Sequence, residues 1–212
     1  MPDSTGPVIY LFAKAPVPGQ VKTRMQPHLS EAESADLALR MMTISMSKVA
    51  GSWPGPRVMA AAPDKSHPAF ARLCSEYGFD LVDQGDGDLG ERMLRVLEQG
   101  IDTRGFAVVM GCDVPHIDER IIGDAYRDAV AGNPFVGAAV DGGFYVLGLG
   151  KFPDGIFKGI TWGGSQVLEK LLGNLEEPAF GLARYPVLRD IDTWPDLVWL
   201  AERNKSFSQL VS

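Results

Sequence analysis

Cysteine and long apolar runs are the two things this sequence has least of. Of its 212 residues, 2 are cysteines. Cys74 and Cys112 stand far apart with no CxxC spacing, which excludes a disulfide framework and a thiolate zinc site. Both are expected to be buried thiols of a reducing compartment. Histidine is almost as scarce, at 3 residues. His28, His67 and His116 fall in separate loops without metal-ligand spacing, and only His116, just after Asp113, is placed to touch a substrate. No apolar run approaches the roughly 18 residues of a spanning helix, so no membrane insertion is expected. Met1-Pro2-Asp3-Ser4 carries no basic region, so no signal peptide is expected and the location reads as cytoplasmic. Positive charge is in deficit: 20 Lys+Arg face 27 Asp+Glu, a net charge of −7. Such a surface repels phosphate backbones at long range, which argues against a nucleic-acid partner. It leaves room for a locally basic pocket for one small phosphorylated ligand. GxSxG, HExxH and the Walker GxxxxGK[ST] are all missing.

What is present suits a globular chain. The hydrophobic fraction is 45% and the charged fraction 22%. A chain of this length buries about 70% of its unfolded surface and needs no metal or disulfide to hold a core. Residues 1–212 read as one domain.

Val8 to Ala13 reads as a strand buried on both faces. Ser30 with Glu33 forms a capping box that opens a helix to about Ala50. Val58 to Ala62 is a second strand, followed by a helix from Pro68 to Tyr77 that stops at Gly78. Asp80 to Asp83 is a third, weaker strand. Asp88 with Glu91 caps the next helix, expected to end at Gly100. Phe106 to Met110 is a strand, and 118–131 a helix. Phe135 to Val140 and Phe144 to Leu149 are strands around an Asp141-Gly142-Gly143 turn. A helix over about 166–172, a strand over 185–188 and a last helix capped by Thr193 complete the chain. Strands alternating with helices predict an α/β fold, a three-layer αβα arrangement around a mostly parallel sheet with room for one antiparallel strand. Ligands bind at the carboxyl ends of the strands in such sheets, so the informative loops follow Ala13, Asp83, Met110 and Val140.

The first of these loops runs from Lys14 through Pro18, Gly19, Lys22 and Thr23 to Arg24. Glycine lets backbone N–H groups approach an anion, and lysine and arginine neutralise phosphate charge. Gly85-Asp86-Gly87-Asp88-Leu89-Gly90 matches GxGxxG between a strand and a helix, the context of a dinucleotide fingerprint. It follows the third strand rather than the first, and two carboxylates stand where a pyrophosphate would sit. A tight turn with a capped helix, or a loop lying flat on a base or ribose, explains it equally. Asp113 at the end of the strongest strand suits a metal or a ribose, or else caps its own turn. Asp141-Gly142-Gly143 is either a hairpin turn or a carboxylate facing a bound sugar or acceptor. Asp190 and Asp192 share one side if the chain is extended there, where they complete a metal site.

Taken in order, the motifs resemble a bacterial family of GT-A-like glycosyltransferases, often described as a domain of unknown function or as selenodomain-associated transferases. The resemblance rests on Phe12-Ala13-Lys14-x-Pro16-x-Pro18-Gly19-x-Val21-Lys22-Thr23-Arg24, Gly87-Asp88-Leu89-Gly90-x-Arg92-Met93, Gly111-x-Asp113-x-Pro115, Asp141-Gly142-Gly143-Phe144-Tyr145, Phe157-x-Gly159-Ile160-x-Trp162 and Asp190-Ile191-Asp192-Thr193. Gly163-Gly164 stands where the family usually has Ser-Thr. The resemblance implies a nucleotide-diphospho-sugar transferase fold of Rossmann-like type. More distantly it is similar to molybdenum-cofactor and 2-phospho-L-lactate guanylyltransferases. There the first loop wraps a triphosphate, the second approaches the base, and aspartates matching Asp113 and Asp192 hold Mg²⁺.

The expectation is therefore a metal-dependent transferase, with Mg²⁺ or Mn²⁺, that joins a nucleotide or nucleotide-sugar donor to a small-molecule acceptor. Lys14, Pro18, Gly19, Lys22, Thr23, Arg24, Gly87, Asp88 and Gly90 are the expected nucleotide-binding residues. Asp113, Asp190 and Asp192 are the expected metal ligands, and Asp113, Asp141 and Lys22 the expected catalytic groups, with Asp141 as general base of a glycosyl transfer. The alternatives are a guanylyltransferase-like enzyme releasing pyrophosphate, an NAD(P)-dependent oxidoreductase working through Gly85, Gly87 and Gly90, and a non-catalytic nucleotide-binding module.

Overall fold

A computed structural model describes residues 5–177 and 179–211. The four N-terminal residues read for a signal peptide lie outside the described residues. In chain order the elements are β1 (Val8–Lys14), α1 (Glu31–Ser52), β2 (Arg57–Ala62), α2 (Pro68–Tyr77), β3 (Asp80–Asp83), α3 (Leu89–Arg104), β4 (Ala107–Gly111), α4 (Glu119–Ala131), β5 (Phe135–Ala139), β6 (Phe144–Leu149), α5 (Val167–Asn174), β7 (Ala183–Leu188) and α6 (Trp194–Arg203). Short 3₁₀ turns cover Thr23–Met25 and Lys205–Leu210. No described helix is long and apolar enough to cross a membrane.

The sheet order is β3-β2-β1-β4-β6-β5-β7. β3, β2, β1 and β4 pair in parallel, β6 runs antiparallel between β4 and β5, and β7 lies parallel to β5. This is the expected mostly parallel α/β sheet with one reversed strand. The chain winds outward from β1 to β3, then returns to β4 on the other side of β1. That reversal opens a crevice at the carboxyl ends of β1 and β4.

Alternation along β1 builds the two faces. Ile9, Leu11 and Ala13 point into a core with Met42 and Met46 of α1, Phe70 and Leu73 of α2 and Ile122 and Ala125 of α4. Val8 and Tyr10 point the other way, onto Met93, Val96 and Leu97 of α3 and Val167 and Leu171 of α5. A third cluster joins Leu37 and Met41 of α1 to Leu197, Leu200 and Ala201 of α6, with Met25 and Leu29 from the first loop. The methionines of α1 are core filler, as their flexible thioethers suit.

The expected capping boxes are formed at both helices: Ser30 with Glu33, and Asp88 with Glu91. The boundary that differs most is the end of α3. α3 continues past Gly100 to Arg104 and ends at Gly105, whose φ is +75°. Gly100 serves packing instead: a Cβ there would meet Ala107 Cβ at 2.6 Å and Val8 Cγ1 at 2.9 Å. Glycine lets α3 lie close on β1 and β4, and inside a helix this reads like a stop signal.

Candidate active site

Two adjoining clefts open at the carboxyl ends of the strands. The larger, of 470 Å³, is lined by the ends of β1, β2, β4 and β5 and the start of β6, together with Gln84, Leu89, Arg92 and Trp162. The smaller, of 290 Å³, is lined by Gln20 to Arg24, Ala38 and Met42. Lys14, Asp113 and Asp192 line both.

At the junction stands Lys22. Its Nζ donates to Asp113 Oδ1 and to Asp192 Oδ1, each at 2.6 Å. The lysine side chain is 9% exposed, against 51% for Asp113 and 39% for Asp192. Burial works against the ammonium, but the two carboxylates outweigh it and hold the Lys22 pKa above its ordinary value. The backbone of Lys22 is left-handed, with φ 48° and ψ 35°. For a residue with a Cβ that conformation costs about 1–2 kcal/mol, and such strain collects at functional sites.

Backbone contacts far apart in sequence assemble this junction. Ile191 N–H donates to Asp113 C=O at 2.9 Å, and Val140 N–H to Leu188 C=O at 2.9 Å. The segments bearing Asp113, Asp141 and Asp190–Asp192 are thereby stitched together. From beneath, Lys48 of α1 donates to the carbonyls of Pro115 and Ile117 at 2.9 and 2.7 Å. Thr193 and Asp196 cap α6 between themselves, which leaves Asp192 for the cleft. Ile191 is fully buried while Asp190 and Asp192 both line the larger cleft, the alternation an extended stretch requires.

Asp190 stands beside the acidic pair without sharing its ammonium. Its Oδ2 is buried with no hydrogen-bond partner among the described residues. Burial first, then Asp141, Asp113 and Asp192, push its carboxyl up to about 7, against a smaller opposing pull from Lys22. The three carboxylates expected as metal ligands, Asp113, Asp190 and Asp192, all line the larger cleft. Among the described residues no three His, Cys, Asp or Glu side chains are placed to hold one ion. The oxygens of two of them, Asp113 and Asp192, already converge on one cation. That donor set fits a hard divalent ion, which takes one or two carboxylates and completes its shell from water and substrate phosphates.

Other expected residues are placed as follows. Lys14, Thr23 and Arg24 are exposed and line the clefts. Pro18 and Gly19 form the turn between Lys14 and Thr23, closed by Gln20 N–H on Val17 C=O at 3.0 Å. Asp141 lines the larger cleft, and its Oδ1 also accepts from Gly143 N–H at 2.9 Å. The turn is formed, and its carboxylate lies in the cleft. Gly142 is obligatory, since a Cβ would fall 2.0 Å from Ser165 O.

The glycine loop behaves differently. Asp88 Oδ1 accepts from Glu91 N–H at 2.9 Å, and Glu91 Oε2 accepts from Asp88 N–H at 2.8 Å. The start of α3 is thus closed by its own carboxylates, where a dinucleotide pyrophosphate would need open N–H groups. Gly87 and Asp88 line neither cleft, and Gly90 packs under Trp162, where a Cβ would meet the ring at 2.7 Å. His116 also lies elsewhere: its ring packs edge-on against Trp199, and it lines neither cleft. Gln84 escaped the sequence reading. Its amide donates to Ala13 and Ala60 carbonyls at 3.3 and 2.9 Å and accepts from Arg92 at 3.4 Å, pinning β1, β2 and α3 at the cleft floor. A buried amide after a strand carries no motif, so nothing in the sequence marks it.

Residues 43–164 match a family described as uncharacterized proteins conserved in bacteria (DUF2064). The chain belongs to this family. The matched region carries the glycine loop, Asp113, Asp141 and Trp162. No curated protein matches the chain. Among solved structures, it is similar to a candidate nucleotide-diphospho-sugar transferase from Desulfovibrio desulfuricans G20, at 25% identity and TM-score 0.82 over 96% of this chain and 93% of that one. A CMP:2-keto-3-deoxy-manno-octonic acid synthetase complexed with CTP aligns at 11% identity and TM-score 0.55, over 97% and 99% of the two chains. Rv0371c from Mycobacterium tuberculosis H37Rv, in complex with manganese, aligns at 14% identity and TM-score 0.51, over 93% and 100%. This member of the DUF2064 family thus has the fold of nucleotide-diphospho-sugar and nucleotidyl transferases.

Proposed function

We propose that the chain is a divalent-metal-dependent transferase whose donor is a nucleotide, either a nucleoside triphosphate or a nucleotide-diphospho-sugar. The observation that carries this reading is the pair Asp113 and Asp192 sharing one buried cation at the mouth of the crevice. Asp113 and Asp192 hold Mg²⁺ or Mn²⁺; when bound, the ion stabilises charge on a bridging or leaving phosphate oxygen. Lys14, Lys22, Thr23 and Arg24 bind the donor's phosphates and hold them in line with the acceptor, and positioning of this kind supplies much of the rate gain. Asp141 faces the acceptor across the larger cleft and takes its proton where the acceptor is a hydroxyl. The CTP and manganese found with two structural neighbours support a nucleotide and a divalent ion here as well. Transfer of a nucleotidyl group, as in the guanylyltransferases the motifs resemble, breaks the bond that releases pyrophosphate. Glycosyl transfer releases a nucleoside diphosphate.

The test is a thermal-shift panel of GTP, CTP, UTP, ATP, UDP-glucose, GDP-mannose and NADH, each with and without Mg²⁺ or Mn²⁺. A ligand at 100 times its Kd stabilises by about 2.7 kcal/mol. A metal-dependent shift with one nucleotide is expected, and product analysis then tells the two transfers apart. A metal-independent shift with NADH alone overturns the reading.

A further inference from the structure

We propose that Lys22 is a resident cation that holds the place of the divalent ion, so that the ion enters only as the donor's phosphates draw the ammonium away. This rests on the reading of Asp113 and Asp192 as metal carboxylates. Three observations carry it. The ammonium meets one oxygen of each carboxylate at 2.6 Å, the convergence an ion would need. Lys22 is nearly enclosed while both partners are about half open, so an ion reaches the carboxylates from the solvent side. The third observation is the loop itself. Lys22 sits in a left-handed conformation between the 18–20 turn and the 3₁₀ turn Thr23–Met25, whose Met25 is fully buried. Met25 roots the segment, and Lys22 is the strained joint just before it.

The coupling follows from the charges. An ion arriving alone would compete with the ammonium for the same two oxygens. Driving Lys22 off without a new anionic partner leaves an unpaired charge in an enclosed site, which is strongly unfavourable. Thr23 and Arg24 line the neighbouring cleft with Lys22, and Lys14 lines both clefts. Phosphates bound among them offer the ammonium a new partner within the swing of its four-carbon stem. Ion and donor therefore bind as a cooperative unit, each raising the affinity for the other. In the absence of donor the charge of the acidic pair is half offset by the chain itself.

The experiment measures Mn²⁺ binding to the full chain without nucleotide, from the electron paramagnetic resonance signal of free Mn²⁺. The wild type is expected to bind weakly. Lys22→Met is expected to bind at least about tenfold more tightly, a change of about 1.4 kcal/mol. Lys22→Arg keeps the charge and is expected to stay weak. Circular dichroism and melting confirm folding of each variant, and Lys22→Gln replaces Lys22→Met if the latter does not fold. Unchanged Mn²⁺ affinity in the neutral variant overturns the proposal. The transferase reading survives that result if wild type still shows a metal-dependent nucleotide shift that Asp113→Asn abolishes. If Lys22→Met with Asp113→Asn keeps the tightened binding, the carboxylates are not the ligands, and the proposal and the reading fall together.

Discussion

The loops after β1 and β3 look alike in sequence and do opposite things. Each leaves the carboxyl end of a parallel strand, and each contains glycine at positive φ: Gly19 at +75° in the first, Gly85 at +78° and Gly87 at +98° in the second. The second closes on itself. Its helix start is filled by Asp88 and Glu91, and its carbonyls are taken by α3: Arg92 Nε donates to Gly87 C=O at 2.8 Å and Arg95 Nη2 to Asp86 C=O at 3.0 Å. The first stays open, with Thr23 and Arg24 exposed to a cleft and Lys22 strained against two aspartates. A glycine pattern therefore says that the backbone bends, and the groups that satisfy the bend decide whether a ligand is needed there. The hollow at the other end of the sheet makes the same point. At 900 Å³ it is lined, among the described residues, by Arg104 and Lys151 and by no carboxylate.

The open first loop depends most on Asp113, one of the two partners of Lys22. Asp113→Asn removes one carboxylate of the pair while keeping an acceptor for Lys22. Turnover is expected to fall on the order of 100-fold or more, the scale of lost electrostatic stabilisation in a transfer step. The metal-dependent nucleotide shift is expected to vanish as well. A variant that releases pyrophosphate or nucleoside diphosphate at the wild-type rate would exclude Asp113 from the machinery. Arg24→Ala should be milder. One exposed phosphate contact removed is expected to raise KM for the donor about tenfold, or about 1.4 kcal/mol, with little change in melting temperature. An unchanged KM places the phosphates outside the first loop.

Most of the fold was legible because the local signals agreed with the global arrangement. Both capping boxes, the stop at Gly78 and the strand Asp80–Asp83 stand where pattern and turn chemistry put them. Gly100 misled because glycine marks a helix end and a close approach with the same letter. The site was legible as a set of residues but not as a set of contacts. Lys22 is separated from Asp113 by 91 residues and from Asp192 by 170. No periodicity reports the hydrogen bond from Ile191 to Asp113 that aligns them. Asp190 was legible by alternation, yet its separation from the ammonium depends on where α6 and β7 place the short segment between them. Gln84 had no signal at all, since its role is the satisfaction of backbone carbonyls on two neighbouring strands.

A third change sharpens the contrast from the other loop. Asp88→Ala removes the cap of α3 and is expected to destabilise by about 1 kcal/mol. In a chain of this size that lowers the melting temperature by roughly 2–4 °C. Metal-dependent nucleotide binding is expected to stay as in the wild type. The reverse result, lost nucleotide binding with an unchanged melting temperature, would move the ligand to the glycine loop.

The smallest expected effect concerns His116, in the loop that carries Asp113 but turned away from the clefts. Burial first, then the charges of Lys48 and Arg189, hold its imidazole below the ordinary value. Both ring nitrogens are buried without partners among the described residues. In the unfolded chain the ring titrates near its ordinary value, about 6.5. As pH falls through that value the unfolded chain takes up a proton that the folded protein resists, so this contribution to stability is complete above it and is lost progressively below. His116→Phe keeps a ring edge-on to Trp199 and removes the proton site. Between pH 7 and 5.5 the wild-type melting temperature is expected to fall more than that of the variant, while metal binding by the two proteins stays equal at pH 7. Parallel melting curves would show that the ring gains a partner when it is charged, and a loss of metal binding in His116→Phe would return this residue to the site.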